Sequence, residues 1–119
     1  MSVVGRYIGL LMSSREQAHV FHFTTDRFAT HKALQAYYEG IVPLLDSYAE
    51  TYMGKSRKRI TPVVNQRKII KNAKLAQKYF VRLGAIIKKM KLPKDPYLDN
   101  IRQEIDALVK QTVYMLSLK

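Results

Sequence analysis

The sequence predicts an all-α protein whose helices pack as a single four-helix bundle. Apolar residues recur at steps of three and four along four segments, which is the spacing of one helix face. No segment shows the alternation of apolar and polar residues that is typical of a strand. The length of 119 residues, 47% of them hydrophobic, suits one domain with one core, so we expect residues 1–119 to form a single domain.

The first helix is expected over residues 3–23 and the second over residues 27–53. One of Thr24, Thr25 and Asp26 should cap the second helix, because their side-chain oxygens accept free amide hydrogens of a first turn. We expect that helix to stop at Gly54 and to kink, rather than end, at Pro43. The apolar stripe of the first helix consists of Val4, Ile8, Leu11, Ala18 and Phe21.

The third helix is predicted over residues 65–91 and has the clearest pattern in the chain. Its apolar stripe consists of Ile69, Ala73, Ala76, Phe80, Leu83, Ile87 and Met90. The basic residues in a narrow arc nearly opposite are Arg67, Lys71, Lys74, Lys78, Arg82 and Lys89. At helical rise this basic rail would be about 33 Å long, close to one turn of duplex DNA.

The fourth helix is predicted over residues 95–118. Asp95 supplies a cap, and Pro96 follows at the first helical position, where its missing amide hydrogen costs nothing. Earlier in the chain, residues 54–64 are predicted to form a basic connection between the second and third helices. The apolar stripe of the fourth helix consists of Leu98, Ile101, Ile105, Leu108 and Met115.

The net charge of +12 is concentrated in one block of the chain. Residues 55–94 contain fourteen Lys and Arg and no acid, whereas the segments on either side each carry a balance of −1. A solubilising surface would intersperse acids, so we expect a polyanion partner, most simply the phosphate backbone of DNA bound without regard to sequence. The candidate contacts are Lys55, Arg57, Lys58 and Arg59 together with Arg67, Lys71, Lys74, Lys78, Arg82 and Lys89.

Several classes of function find no support in the sequence. Cysteine is absent, which excludes disulfides and thiolate metal sites, and no nucleophile triad, phosphate-binding glycine loop or zinc-finger spacing is present. No secretory leader or apolar run of about 20 residues appears, so a cytoplasmic protein is expected. Membrane binding ranks lower, because the face opposite the rail belongs to the bundle core.

Two histidines and two carboxylates form a candidate metal site. His19 and His31 lie six residues on either side of Thr25, so on antiparallel helices they would stand at the same height. Asp46 and Glu50 share one helix face, but Asp46 lies about 22 Å along the helix from His31. A two-fold dimer that pairs the second helices in antiparallel fashion would unite all four residues at two intersubunit sites. Ordinary helix-interface histidines and a solvated acidic face are the alternative.

The spacing of these residues resembles that of the Dps-type mini-ferritins over roughly residues 3–54. The matching residues are His19, Phe28, His31, Asp46, Ala49, Glu50 and Gly54, and there is a weaker resemblance to small phage-encoded ferritin-like proteins. The resemblance implies a ferritin-like four-helix bundle, a homo-oligomer, and iron bound between subunits by His19, His31, Asp46 and Glu50 for oxidation. Val20 and Thr24 depart from the tryptophan and glycine that are usual in that family.

Two hypotheses of function follow. The first is a Dps-like protein with an intersubunit iron site and a basic face that binds DNA, acting in the cytoplasm, at the nucleoid or, if phage-encoded, in the host. The second is a ferritin-like protein without oxidase activity that holds nucleic acid or an acidic protein. A ferritin topology needs the second and third helices parallel, and a plain up-down-up-down bundle is the open alternative.

Overall fold

The computed structural model describes residues 2–64 and 68–119, and its secondary structure is entirely helical over those ranges. Four α-helices are present: α1 (Val3–Thr24), α2 (Phe28–Ser56), α3 (Ala76–Lys88) and α4 (Pro96–Leu116). A short 3-10 helix, Ala73–Leu75, leads directly into α3. The all-helical class and the presence of four helices are therefore confirmed.

The first two helices form an antiparallel hairpin. Ser2 begins α1 by accepting hydrogen bonds from the backbone amides of Val4 and Gly5, at 3.1 and 3.3 Å. Midway along the pair, the hydroxyls of Ser14 and Tyr37 lie 2.6 Å apart in the core. Since their side chains are both buried, this hydrogen bond fixes the register of α1 against α2.

Both ends of α2 differ from the prediction. Arg27 is its N-cap residue and no side chain caps the first turn, because the Thr25 hydroxyl accepts the Arg27 amide hydrogen instead. The helix passes through Pro43 without a break and ends at Ser56 rather than Gly54. Termination occurs at Arg57, which adopts a left-handed φ of 59° and donates its backbone N–H to Met53.

The directions of α2, α3 and α4 follow from two contacts. Lys55 at the end of α2 lies 2.7 Å from Asp95 at the start of α4, so these helices are antiparallel. Gln77 near the start of α3 donates to the backbone carbonyl of Val113 near the end of α4, so α3 and α4 are antiparallel too. The second and third helices therefore run parallel to each other, which differs from a plain up-down-up-down bundle.

A crossover connects the parallel helices and passes beside α1; we use this name for residues 57–72, of which 65–67 lie outside the described residues. The backbone amide of Val63 donates to the Gly5 carbonyl at 3.0 Å. Further along, the Gln17 side chain holds Ile70 from both sides, donating to its carbonyl at 2.7 Å and accepting its amide hydrogen at 2.9 Å. The crossover is thus fixed to α1 at two points.

The predicted start of the third helix at residue 65 is wrong, because α3 begins at Ala76. Tertiary hydrogen bonds from Gln17 occupy the backbone of Ile70, and the Asn72 side chain caps the first turn by accepting from the Lys74 amide at 3.0 Å. The apolar periodicity extends to residues before Asn72, but no helix forms over residues 68–72. Ile69, a predicted core residue, is 36% exposed in the crossover.

The core lies between α1, α2 and α4, with the inner face of α3 completing it. Every predicted stripe residue of α1 is buried, as are Phe80, Leu83 and Ile87 of α3. Tyr7 and Tyr48 pack edge to face with ring centroids 5.1 Å apart. Burial raises the pKa of the Tyr48 hydroxyl to about 12.

The contact between the crossover and α1 depends on a glycine. A Cβ atom at Gly9 would overlap the backbone carbonyl of Val63, whereas a Cβ at Gly54 in α2 would have no atom within 4 Å. We expect Gly9→Ala to lower the free energy of unfolding by about 2 kcal/mol through overpacking. The control Gly54→Ala should raise it by roughly 0.5–1 kcal/mol, because alanine is the better helix former. Urea unfolding followed by circular dichroism measures both, and equal effects would contradict this packing.

Candidate functional site

The exposed basic residues between the end of α2 and the start of α4 are together called the basic face. It comprises the described Lys and Arg residues from Lys55 to Lys94, that is, all fourteen in this block except Arg67, which lies outside the described residues. Each of them is exposed. The members of the basic face are Lys55, Arg57, Lys58, Arg59, Lys68, Lys71, Lys74, Lys78, Arg82, Lys88, Lys89, Lys91 and Lys94.

Acids contribute little to the neutralisation of the basic face. Within the described part of the chain, Lys55 is its one member in an ion pair, with Asp95 at 2.7 Å. The hydrogen bond from Lys55 lowers the pKa of the Asp95 carboxyl, although both groups are open to solvent. The remaining members carry charge that no carboxylate of the described residues offsets at contact distance.

The prediction that these cations lie in one row along a single helix is wrong. Lys78 and Arg82 lie in α3 and Lys89 is its C-cap residue, and these three share an arc that extends over about 16 Å of helix. Lys71 lies instead in the crossover and Lys74 in the 3-10 helix. The basic face therefore combines a short helical row with irregular backbone, rather than one long row.

The topology gathers most of these charges at one end of the bundle. We call this the lower end: there α2 and α3 finish and α4 begins, and Arg102 of α4 donates to the carbonyls of Ile87, Lys88 and Met90 at the end of α3. The cations at the lower end are Lys55, Arg57, Lys58, Arg59, Lys88, Lys89, Lys91 and Lys94. Lys71, Lys74 and Lys78 lie toward the opposite end, where Lys74 borders a cavity shared with Thr24 and Leu116.

The histidines pair differently from the prediction. His22, rather than His19, stacks on His31, with ring centroids 3.6 Å apart. Each ring nitrogen Nδ1 lies 2.9 Å from the backbone carbonyl of the other histidine, so both Nδ1 atoms donate. His19 instead stacks on Phe23 and Tyr38, at 4.9 and 4.4 Å between centroids. The sequence does carry the signal for this, since His22 lies four residues after buried Ala18 on the core side of α1.

The two carboxylates lie elsewhere. Asp46 and Glu50 are exposed on α2, fifteen and nineteen residues after His31 along one continuous helix. That places Asp46 about 22 Å from the histidines, so one chain does not unite the four predicted metal ligands. Across residues 2–64 and 68–119, no group of three or more His, Asp and Glu side chains is arranged to hold a metal.

Aromatic exposure distinguishes the surface near the histidines from the basic face. Phe23 and Phe28, at the link between α1 and α2, are each 74% exposed. Lys32 lies over the Phe28 ring at 5.8 Å and Arg15 over the Tyr38 ring at 6.0 Å, both within the range of a cation–π contact. Large exposed aromatic rings of this kind favour contact with another protein surface.

Comparison with known proteins places the chain in a family. The Family of unknown function (DUF5856) matches residues 22–116, from the second histidine to the end of α4. The chain belongs to this family. The residues that the DUF5856 family matches include His22, His31, the crossover and the whole basic block.

A protein of a bacteriophage is similar to the whole chain. The "Uncharacterized 14.6 kDa protein in mobD-ri intergenic region" of Enterobacteria phage T4 is 28% identical over 120 residues, covering 99% of this chain and 91% of the phage protein. No solved structure matches. In the described part of this DUF5856 protein, none of the α-helices combines the length and hydrophobicity that a membrane span requires.

The histidine pairing makes a stability prediction. His22 is 7% exposed and takes part in two hydrogen bonds with His31, whereas His19 is partly exposed and makes ring contacts. We expect His22→Ala to lower the free energy of unfolding by about 2 kcal/mol, because it removes a buried ring that stacks on His31 and donates a hydrogen bond to the His31 carbonyl. The matched variant His19→Ala should lower the free energy of unfolding by less than half of that amount. Chemical denaturation at neutral pH measures both, and a larger loss for His19→Ala would contradict the observed pairing.

Proposed function

We propose that this DUF5856 protein binds the phosphate backbone of nucleic acid through its basic face, without reading base sequence. The observation that carries the proposal is the exposure of thirteen Lys and Arg side chains between residues 55 and 94, with no acid in that block. Binding of phosphates by such side chains releases condensed counterions, which is a large part of the affinity for DNA. The row of Lys78, Arg82 and Lys89 alone extends over about 16 Å of helix, which is long enough to contact successive phosphates.

The amide side chains of this surface support sequence-neutral binding. Direct reading of adenine uses Asn or Gln side chains that are free to pair with a base edge. Two such residues are described on the crossover and α3, and each already makes an intramolecular hydrogen bond: Asn72 accepts from the Lys74 amide, and Gln77 donates to the Val113 carbonyl. Lys and Arg are left as the contacting groups, which suits phosphate contact.

An acidic protein is the alternative partner for the same surface. Centres of protein interfaces are enriched in exposed aromatic residues and depleted in charge. The strongly exposed phenylalanines, Phe23 and Phe28, lie instead at the α1–α2 link. The dense, unneutralised charge therefore favours nucleic acid over an acidic protein. A nucleic-acid partner would be consistent with a cytoplasmic location.

Charge removal at matched sites tests this proposal. We expect the triple variant Lys71→Gln, Lys74→Gln and Lys78→Gln to bind duplex DNA of random sequence at least ten-fold more weakly in about 100 mM salt. The slope of log affinity against log salt should fall by up to roughly 3, or about 0.9 for each phosphate that the variant no longer neutralises. Fluorescence anisotropy across a salt series gives both quantities.

The control variant removes the same charge from other surfaces, with Lys32→Gln, Lys110→Gln and Lys119→Gln. It should change DNA affinity less than three-fold, since these residues lie outside the basic face. Equal losses of affinity for the two triple variants would show that only net charge matters and would overturn the proposal. An affinity for a homopolymer duplex that differed ten-fold from that for mixed sequence would contradict sequence neutrality.

We further infer that the bundle is ferritin-like in topology. The parallel arrangement of α2 and α3 supports this, because a long connection between parallel second and third helices is a property of ferritin-like bundles. The resemblance of His19, His31, Asp46 and Glu50 to the Dps spacing supports it independently.

A metal centre between two copies is a second candidate function. One chain does not bring His31 and Asp46 together, but both lie on α2, and Asp46 and Glu50 are exposed where a second copy would have access. The hydrogen bond from His31 Nδ1 to the His22 carbonyl fixes its tautomer and leaves Nε2 as the nitrogen for a ligand bond. Iron held there would serve oxidation by oxygen, with Fe(II) as the substrate. Because His19 stacks on Tyr38, we do not include His19 among the metal ligands of this candidate site.

Metal binding and mass in solution test this candidate. If the site forms between copies, a dimer at least should appear in sedimentation, and Co(II) should bind with one equivalent per chain. His31→Ala and Asp46→Asn should each weaken Co(II) binding at least ten-fold, while Glu39→Gln on the same helix should not. Oxygen uptake with Fe(II) that was unchanged in His31→Ala would exclude the iron centre. A monomer that retained DNA binding would leave the nucleic-acid proposal standing alone.

A further inference from the structure

A cavity between α1 and α3, distinct from the histidines and from the lower end, has the character of a small-molecule site. Its volume is about 340 Å³, and it is bounded on three sides by α1, the crossover and α3. Sites for small ligands in proteins range from about 300 to 1,000 Å³ and are lined mainly by apolar side chains. The cavity is therefore of a size for one small ligand rather than for a polymer.

The cavity exists because the crossover holds α1 and α3 apart. Gln17 fixes Ile70 beside α1, and the aliphatic side chains of α1, the crossover and α3 surround the space between these elements. The apolar lining consists of Leu10, Val64, Ile69, Ile70, Leu83 and Ile86. A ligand with an apolar body would remove this surface from water, which favours binding.

Apart from Tyr79 of α3, the polar residues of the lining divide into two sets. Those on α1 already have partners: Ser13 donates to the Gly9 carbonyl, Glu16 pairs with Arg15 at 2.7 Å, and Gln17 is engaged with Ile70. Lys68 and Arg82 also line the cavity, and neither has an ion pair within residues 2–64 and 68–119. The cations that border the apolar space are therefore available to an incoming anion.

We propose that this cavity binds a single-chain amphiphile with an anionic head, such as a medium-chain fatty acid. The apolar lining accommodates the hydrocarbon chain, and Lys68 and Arg82 receive the carboxylate. Charge complementarity argues for an acid over a neutral lipid, since an uncharged head would leave both cations without a partner. This proposal goes beyond nucleic-acid binding and does not depend on it.

Binding of decanoate to the full-length protein tests the proposal by calorimetry below the micelle concentration. The protein should bind one decanoate per chain, and should bind decanol at least ten-fold more weakly. Ile86→Trp, which fills the cavity, should reduce decanoate affinity at least ten-fold. Val81→Trp is the matched control, because Val81 lies on α3 outside the cavity lining and is 55% exposed. Equal affinity in these two variants would overturn the proposal.

Variants that remove cations distinguish binding in the cavity from binding to the rest of the basic face. Lys68→Gln with Arg82→Gln should weaken decanoate binding about ten-fold, whereas Lys71→Gln with Lys78→Gln should leave it within two-fold. Ile86→Trp retains every cation, so its DNA affinity should equal that of the unmodified chain. Binding to anionic phosphatidylglycerol vesicles without binding of free decanoate would show a surface rather than a cavity and would overturn the assignment. Equal affinity for decanol and decanoate would do the same.

Discussion

The attachment of the crossover to α1 is the constraint on which the rest of this structure depends. Gln17 replaces the backbone partners that Ile70 would have in a helix, and Gly5 and Gly9 let the backbone near Val63 approach α1 closely. An amide side chain satisfies both polar groups of one peptide segment, which an apolar side chain at that position would leave without partners. With the crossover held there, the third helix begins at the same end of the bundle as the second, and the two become parallel.

The distribution of charge is a consequence of that path. A continuous basic block in the sequence is divided between the two ends of the molecule, because the crossover carries the chain from one end to the other and α3 returns it. Cations that a single long helix would have arranged in one row are instead placed on loops, on a 3-10 helix and on α3. The cavity bordered by Lys68 and Arg82 has the same origin, since it lies where the crossover separates α1 from α3.

Sequence patterns predict those features of the fold that depend on neighbouring residues in the chain. The predicted extents of α1 and α4 agree with the structure to within two residues, because apolar periodicity and the proline in the first turn of α4 act within a few residues of the chain. The predicted start of α3 does not agree, because the competing partner of Ile70 is Gln17, more than fifty residues earlier in the chain. Likewise, equal distances from Thr25 suggest that His19 meets His31, but helix rotation directs His22 toward it instead. Spacing in the sequence predicts the position of a side chain along the helix axis more readily than the side of the helix from which it projects.

The directions of the four helices also determine the electrostatic field of the backbone. Each helix has the equivalent of about half a positive charge at its start and half a negative charge at its end. Two helices start and two finish at each end of the bundle, so these partial charges nearly cancel in pairs. The potential around the molecule is then set mainly by its side chains. Acetylation of its lysines would consequently reduce that potential stepwise, with little contribution from the peptide dipoles.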